Sequence, residues 1–68
     1  MDDTDLLNRF TFHQATETTG PKFDHIRAVC LDLAQRINIA TPDSREKSLA
    51  ITHLEEVMYW ANASVARN

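Results

Sequence analysis

The chain has 68 residues and a formal net charge of −3, which limits it to one small domain. A domain of this size buries only about 60% of its unfolded surface, so it depends on disulfides, a metal or association with other chains. Cys30 is the only cysteine and the three histidines are scattered, so neither a disulfide nor a zinc site is expected. Association is the remaining route to a stable fold.

The acidic balance of the chain excludes one class of partner. Binding to long DNA or RNA requires many phosphates to be neutralised, which a net charge of −3 does not favour. No apolar run approaches the ~20 residues of a membrane span, and the start at Met1 to Asp3 is acidic where a secretory signal is basic. We therefore predict a protein of a reducing cytoplasm with no contact to nucleic acid polymers or membranes.

Residues 1–20 are predicted to form an N-terminal arm. Asp2 to Asn8 is expected to make one or two helical turns, with acidic residues at the favourable N-terminal end. The segment from Arg9 to His13 reads RFTFH, and its alternation of strand-forming residues predicts an extended chain. A polar, threonine-rich loop from Gln14 to Gly20 follows.

The two aromatic residues of this arm, Phe10 and Phe12, have two open interpretations. They form a hydrophobic clasp over a neighbouring helix, or one ring stacks on a nucleobase. A base stacked on an aromatic ring gains about 1–3 kcal/mol with little dependence on base identity. The residues alone do not decide between the two.

A first long helix is predicted over residues 21–39. Gly20 and Pro21 open it, because proline suits the first helical turn, and Pro42 ends the following connection. Its apolar residues recur every three or four positions, as expected for a buried stripe. The stripe consists of Phe23, Ile26, Cys30, Leu33 and Ile37, widened by Val29 and Ala34.

A second long helix is predicted over residues 44–67. Asp43 and Glu46 have the spacing of an N-cap residue and its N3 partner. The apolar stripe of this helix again has alternating spacings of three and four, typical of a helix that packs on other helices. It consists of Ile51, Leu54, Met58, Ala61 and Val65.

These elements predict an all-α fold: one domain over residues 1–68, in which an antiparallel two-helix hairpin carries a short N-terminal helix and an extended arm. A turn near Thr41 and equal rise on both helices would place Lys22 beside Trp60. The apolar stripes are too long for so short a chain to cover alone. We therefore expect homo-oligomerisation to complete the core.

The candidate binding residues are aromatic and basic side chains near the open end of the hairpin. Tyr59 and Trp60 either fill a subunit interface or border a nucleobase pocket, since aromatic side chains suit both. Arg27 and Arg67 are either solvated surface charges or phosphate ligands, for which the arginine fork is well shaped. No nucleophile, base and oxyanion site come together, so no enzyme and no cofactor are predicted.

Several segments of the chain resemble one family. They are FTFH from Phe10, then Ile26-Arg27, the segment SREKSLA from Ser44, and WANASVARN from Trp60. The segments SREKSLA and WANASVARN are specific to that family, whereas FTFH alone would be weak evidence for it. The chain is similar to the small phage-encoded anti-CBASS sponges known as anti-CBASS protein two, which share a hairpin domain with the Thoeris anti-defence sponges.

This resemblance implies a function and a quaternary structure. Members of the family are compact homohexamers that sequester cyclic dinucleotides between protomers and cyclic trinucleotides near the threefold axes, without hydrolysing them. A phage protein of this kind acts in the host bacterial cytoplasm. The implied partners are therefore cyclic di- and trinucleotides and further copies of the same chain.

The resemblance also implies site residues. Phe12 corresponds to the arm aromatic that stacks on a base, where a tyrosine is common, so its ring face is kept and the hydroxyl is lost. Arg27 corresponds to the basic residue at the dinucleotide phosphate, with Lys22 as the alternative. Arg67 resembles the arginine that three protomers direct at a trinucleotide. With Phe10 and Trp60, these residues form the predicted ligand-binding set.

Other functions remain as alternatives from the sequence. A purely structural helical oligomerisation protein would use the same aromatic residues for assembly alone. A sponge for cyclic ADP-ribose-type signals would share the hairpin. A nucleotide hydrolase would show chemical turnover, and a helix-turn-helix DNA binder is disfavoured by the acidic balance.

Overall fold

A computed structural model describes residues 1–10 and 19–68, apart from the side chain of Asn8. Within these residues the chain is all-helical and contains no strand, as the sequence predicts. The helices are α1 (Asp3–Arg9), α2 (Gly20–Ala40) and α3 (Arg45–Arg67).

The two long helices, α2 and α3, pack side by side as an antiparallel hairpin. Near the turn, the Lys47 ammonium donates a hydrogen bond to the backbone carbonyl of Asn38, at 2.8 Å. At the opposite end, Phe23 lies beside α3 residues between Tyr59 and Ala66. The Cα atoms extend over 39 × 18 × 15 Å, so the molecule is only about two helix diameters thick.

The N-terminal end of α3 is capped one residue later than the sequence suggested. Ser44, not Asp43, is the N-cap residue, and its Oγ accepts a hydrogen bond from the backbone N–H of Lys47, at 3.1 Å. The Asp43 carboxylate instead contacts the Met1 ammonium at 3.0 Å and the Lys47 ammonium at 3.3 Å. Because those cations hold the Asp43 side chain, the neighbouring serine performs the capping.

A buried lysine joins three parts of the chain at the turn. The Lys47 side chain is only 6% exposed, and its ammonium donates to both the backbone and side-chain oxygens of Asn38 as well as to Asp43. Asn38 in turn donates to the backbone carbonyl of Met1, at 2.7 Å. Hydrogen bonds from the Met1 ammonium and from Lys47 hold the pKa of Asp43 below its usual value. The start of α1 is thereby attached to the hairpin turn.

The prediction of an extended chain from Arg9 onward is wrong for its first two residues. Arg9 is the last residue of α1, and Phe10 is its C-cap with φ −113° and ψ 21°. The N–H of Phe10 donates to the carbonyl of Leu6 at 3.1 Å, so the helical hydrogen bonding continues to that point. Thr11 to His13 lie outside the described residues.

The core is a single cluster that α1 completes. Leu6 and Phe10 are fully buried and pack with residues from both long helices. Those residues are Cys30, Ala34, Ile51, Leu54 and Met58. Burial raises the pKa of the Cys30 thiol, consistent with its expected role as a small apolar residue. A short helix thus supplies the two large side chains that the hairpin lacks.

The buried stripes of the hairpin differ from the predicted ones at several positions. On α2, Val29 is 53% and Leu33 46% exposed, although both were assigned to the stripe. Leu31 lies on the opposite face of the helix from both of them, and it packs against the core instead. Because α1 covers only one side of the hairpin, apolar residues on the other side stay open. On α3 the buried position after Met58 is Asn62, while Ala61 and Val65 are half-buried.

The predicted register of the hairpin is also shifted. Asn38 lies opposite Lys47, and with equal rise on both helices this places Lys22 about three residues beyond Trp60 along α3. The helices therefore meet around a turn centred later than Thr41. Lys22 is exposed, and in this register the α3 residue opposite it is Ala63.

The part of the chain that the structure describes has neither a membrane-spanning helix nor a cluster of metal-binding side chains. None of its helices combines the length and the apolar character that crossing a lipid bilayer requires. No three histidine, cysteine or carboxylate side chains in these residues are grouped as metal ligands would be.

The Ser44 cap leads to a prediction about stability. Replacement of Ser44 by alanine removes the hydrogen bond to the Lys47 N–H and should lower the free energy of unfolding by about 0.5–2 kcal/mol. Ser48→Ala, at an exposed position in the same helix, is the matched control and should change it by less than about 0.5 kcal/mol. Chemical denaturation measures both, and equal effects would contradict the assigned cap.

Candidate functional site

A cleft opens at the end of the hairpin away from the turn. Its volume is about 290 Å³, and it lies between the start of α2 and the last turns of α3. Phe23 contributes from α2, and the other lining residues are Tyr59, Asn62, Ala63 and Ala66. Two of the lining residues are alanines, whose small side chains leave space between the helices.

The aromatic residues of the cleft differ in their surroundings. Phe23 is 8% exposed and extends the core towards the cleft, whereas the Tyr59 side chain is about half exposed. Desolvation raises the pKa of Tyr59, and the charge of Glu55 and its hydrogen bond with the phenol act in the same direction. The Arg9 charge opposes this shift. The Tyr59 hydroxyl thus has a partner within its own helix.

Asn62 is the unusual residue of the cleft. It is 6% exposed, and it occupies the position on α3 that follows Met58 in the buried stripe. Within the described part of the chain, neither its amide nitrogen nor its amide oxygen has a hydrogen-bond partner. A buried amide without partners typically destabilises a protein by about 1–3 kcal/mol. Such a group therefore calls for a partner that residues 1–10 and 19–68 do not supply.

Arg9 provides a second unpaired polar group near the cleft. It lies in the last turn of α1, where a cation complements the helix dipole. Its Nη1 atom is buried and has no hydrogen-bond partner among residues 1–10 and 19–68. Its charge acts on Tyr59 and lowers the pKa of that phenol. A guanidinium nitrogen in this position is suited to an anionic partner.

The lining groups indicate what the cleft can do chemically. Aromatic faces and small side chains accept a flat apolar ring, and a carboxamide supplies both donors and an acceptor. A mostly apolar cavity with a few convergent polar groups is the usual form of a small-molecule site. The cleft surface is therefore suited to a flat apolar ring, and the Asn62 amide is buried beside it.

Arg27 is a predicted site residue on α2, the helix that contributes Phe23 to the cleft. It lies one helical turn after Phe23, so the two side chains share a face. Its guanidinium forms an ion pair with Asp24 at 2.6 Å, and the side chain remains 31% exposed. An anionic ligand would therefore compete with Asp24 for this arginine.

The other predicted site residues are not gathered at the cleft. Trp60 is 70% exposed and lies two residues after Met58, on the face of α3 opposite the core. Arg67 is exposed in the last turn of the same helix. Phe10 has no exposed surface and packs in the core, which is the packing alternative of the sequence analysis. Phe12 lies outside the described residues.

Sequence reasoning named Tyr59 as a candidate and missed the other described residues of the cleft, of which Phe23 and Asn62 are the larger. Phe23 was assigned to the apolar stripe of α2, where nothing distinguishes a core ring from one at a cavity. Asn62 carried a usable signal, because it continues the spacing of Ile51, Leu54 and Met58 with a polar residue. A polar residue in a buried stripe calls for a hydrogen-bonding partner.

An all-helical hairpin with an apolar cleft and unpaired polar groups is the architecture that the described residues form. Residues 2–66 match the protein family described as Acb2/Tad1, hairpin domain. Because the match covers nearly the whole chain, the protein belongs to that family, and the resemblance read from its sequence is confirmed. Membership implies a sponge-type anti-defence role, in which the domain binds a signal, and the family is not known as an enzyme.

The other two comparisons found no similar protein. Neither a curated protein sequence nor a solved structure gave a significant match to this chain. The family assignment therefore rests on the match over residues 2–66.

The exposed ring of Trp60 leads to a prediction about assembly. If it fills a subunit interface, Trp60→Ala should lower the molar mass observed by light scattering at micromolar concentration, because aromatic side chains are frequent interface anchors. Thr52→Ala, at an exposed position on the same helix, serves as the control. An unchanged mass together with weakened nucleotide binding would assign the ring to a ligand instead.

Proposed function

We propose that this protein is a phage immune-evasion sponge that binds cyclic di- and trinucleotide second messengers of CBASS antiviral signalling. It sequesters them in the host bacterial cytoplasm and does not hydrolyse them. Family membership supports the sponge role, and the cleft with the unpaired amide of Asn62 is the structural observation that carries the proposal.

Assembly of several copies is part of this proposal. One side of the hairpin is covered by α1, while Val29, Leu33 and Val57 remain about half exposed. Apolar side chains on an uncovered helix face are stabilised when a second chain buries them. The resemblance to the sponge family supports a closed homohexamer as the assembled form.

Symmetry links the assembly to its ligands. A cyclic dinucleotide is nearly twofold symmetric and a cyclic trinucleotide nearly threefold, and a closed homo-oligomer has matching axes. One weakly basic cluster per protomer then becomes several around one ligand. In this way a chain of net charge −3 gathers enough arginine to hold phosphates.

The roles proposed for individual residues follow the family resemblance. Phe12 stacks on a base, and Arg27 contacts a dinucleotide phosphate, with Lys22 as the alternative contact. Arg67 faces the phosphates of a trinucleotide. The exposure of Arg27, Lys22 and Arg67 supports these roles, since each retains surface for a ligand.

A structural oligomerisation protein is the second candidate function. The 70% exposure of Trp60 on the back of α3 favours it, because a large exposed ring is typical of an interface. In that case the aromatic residues would serve assembly alone, and no cyclic nucleotide would bind. A sponge for cyclic ADP-ribose-type signals is a variant of the leading proposal.

The experiment that separates these functions is isothermal titration with cyclic dinucleotides, cyclic trinucleotides and a cyclic ADP-ribose. A sponge binds at least one of them and is stabilised by about 2.7 kcal/mol at a ligand concentration 100 times its Kd. Failure of every ring to bind would leave the structural function. Chromatography of ligand released by heating should return it intact, and a linear product would identify a hydrolase.

The stacking role of Phe12 gives a further expectation. Phe12→Ala removes a ring whose stacking contributes about 1–3 kcal/mol, so dinucleotide affinity should fall by about tenfold or more while the molar mass is unchanged. Phe12→Tyr keeps the aromatic face and should retain binding. Unchanged affinity of the alanine variant would remove Phe12 from the site.

Separate pockets for the two ligand classes are tested at Arg67. Arg67→Ala should weaken trinucleotide binding by about tenfold or more, because a charged hydrogen bond is lost from each protomer, and should leave dinucleotide binding intact. Arg45→Ala, at the other end of α3, is the control. Equal losses for both ligand classes would show that the pockets are shared.

A further inference from the structure

We propose that Asn62 makes the cleft selective for adenine, so that it binds the adenine bases of cyclic nucleotides in preference to guanine. This inference rests on the proposed function and extends it to the identity of the base. It is carried by the burial of the Asn62 amide, by its lack of a partner and by the apolar lining of the cleft.

The amide of Asn62 has unused hydrogen-bonding capacity. A carboxamide offers two donors and an acceptor, and within the described residues none of these is used. An apolar residue of similar shape at the same stripe position would avoid the energetic penalty of burying an unpaired amide. The asparagine is therefore best explained by a partner that arrives from outside the chain.

The dimensions and lining of the cleft fit one base. Its volume of about 290 Å³ is at the lower limit of ligand pockets, which hold roughly 300–1,000 Å³, so it accommodates part of a cyclic nucleotide. Phe23 and Tyr59 provide aromatic surface for a base, and Ala63 and Ala66 leave room between the helices. The phosphates would remain outside, towards the exposed arginines.

The hydrogen-bonding edges of the two purines distinguish them in this cleft. Adenine presents one donor beside one acceptor, N6–H and N7, which a carboxamide satisfies in a bidentate pair. On the same edge guanine presents two acceptors, O6 and N7, so the amide oxygen would face an acceptor and remain unpaired. Of the other described lining residues, Tyr59 has its phenol beside the Glu55 carboxylate, and Phe23, Ala63 and Ala66 offer no polar side chain. Guanine would therefore be buried with an unsatisfied group, which is unfavourable.

Access to the amide requires a small movement. The Asn62 amide atoms each have less than 1 Å² of exposed surface, so a base reaches them only when a side chain beside the cleft changes its rotamer. Rotamer changes of this kind are common when ligands and partners bind. The half-exposed Tyr59 ring is the side chain at the cleft with the most freedom to move.

The test is a titration of the full chain with cyclic di-AMP and with cyclic di-GMP. The wild-type protein should prefer cyclic di-AMP by about tenfold, and Asn62→Leu should reduce that preference to near unity. Asn62→Asp replaces the donor with a second acceptor, which suits guanine N1–H and N2–H, and should shift the preference towards cyclic di-GMP. Asn68→Leu makes the same exchange at an exposed position of the chain and should leave the ratio unchanged.

Each outcome separates this inference from the proposed function. A wild-type preference for cyclic di-GMP, or an unchanged ratio in either Asn62 variant, overturns the role of Asn62 while the sponge function stands. Binding of neither ring, nor of any other cyclic nucleotide, overturns the sponge function itself. A changed molar mass with an unchanged ratio would assign the amide to a contact between copies of the chain and would also overturn the inference. The wild-type ratio needs no variant, so a variant that fails to fold does not prevent the test.

Discussion

The thinness of the hairpin is the constraint on which the rest of the structure depends. Two helices side by side bury apolar residues only along the line where they face each other, and the molecule is 15 Å across in its smallest dimension. The short helix α1 adds a third wall on one side, where Leu6 and Phe10 become fully buried. On the other side Val29, Leu33 and Val57 remain exposed, and the end of the hairpin away from the turn has a cleft. The exposed apolar side chains and the open cleft therefore both follow from the small number of residues available to cover the hairpin.

Polar groups are distributed unevenly between the two ends of the hairpin. At the turn, the buried Lys47 has partners in Asn38 and Asp43, and the first residue of the chain joins the same network. At the open end, the amide of Asn62 and one nitrogen of Arg9 are buried without partners in the described residues. A satisfied network rigidifies the structure around it, whereas an unsatisfied one is stabilised by whatever supplies the missing bonds. This contrast supports our proposal that another molecule binds at the open end.

Membership of the Acb2/Tad1 hairpin family gives this arrangement a biological meaning. A sponge must hold its ligand tightly and needs no reacting group, so rigidity and complementarity are sufficient. The charge of the chain fits this role only if several copies surround one ligand, because a single protomer is acidic. Multiplying a weak site by symmetry is an economical way for a short chain to recognise a cyclic molecule.

The residue pattern alone was enough to predict the helical hairpin, its approximate limits and its family. Helix periodicity, a proline and a glycine at the ends, and the segments SREKSLA and WANASVARN are local features that need no tertiary contact to be recognised. Four features could be seen only in the folded structure: the cap at Ser44, the exposure of Leu33, and the burial of Phe10 and Asn62. Which residue caps α3 depended on the Met1 and Lys47 cations that engage Asp43. The position of α1 decides which side of α2 is buried. Periodicity shows that a helix has an apolar stripe, but it does not show which other element packs against that stripe. The cleft arises from the spacing of two helices, so only their three-dimensional packing revealed it.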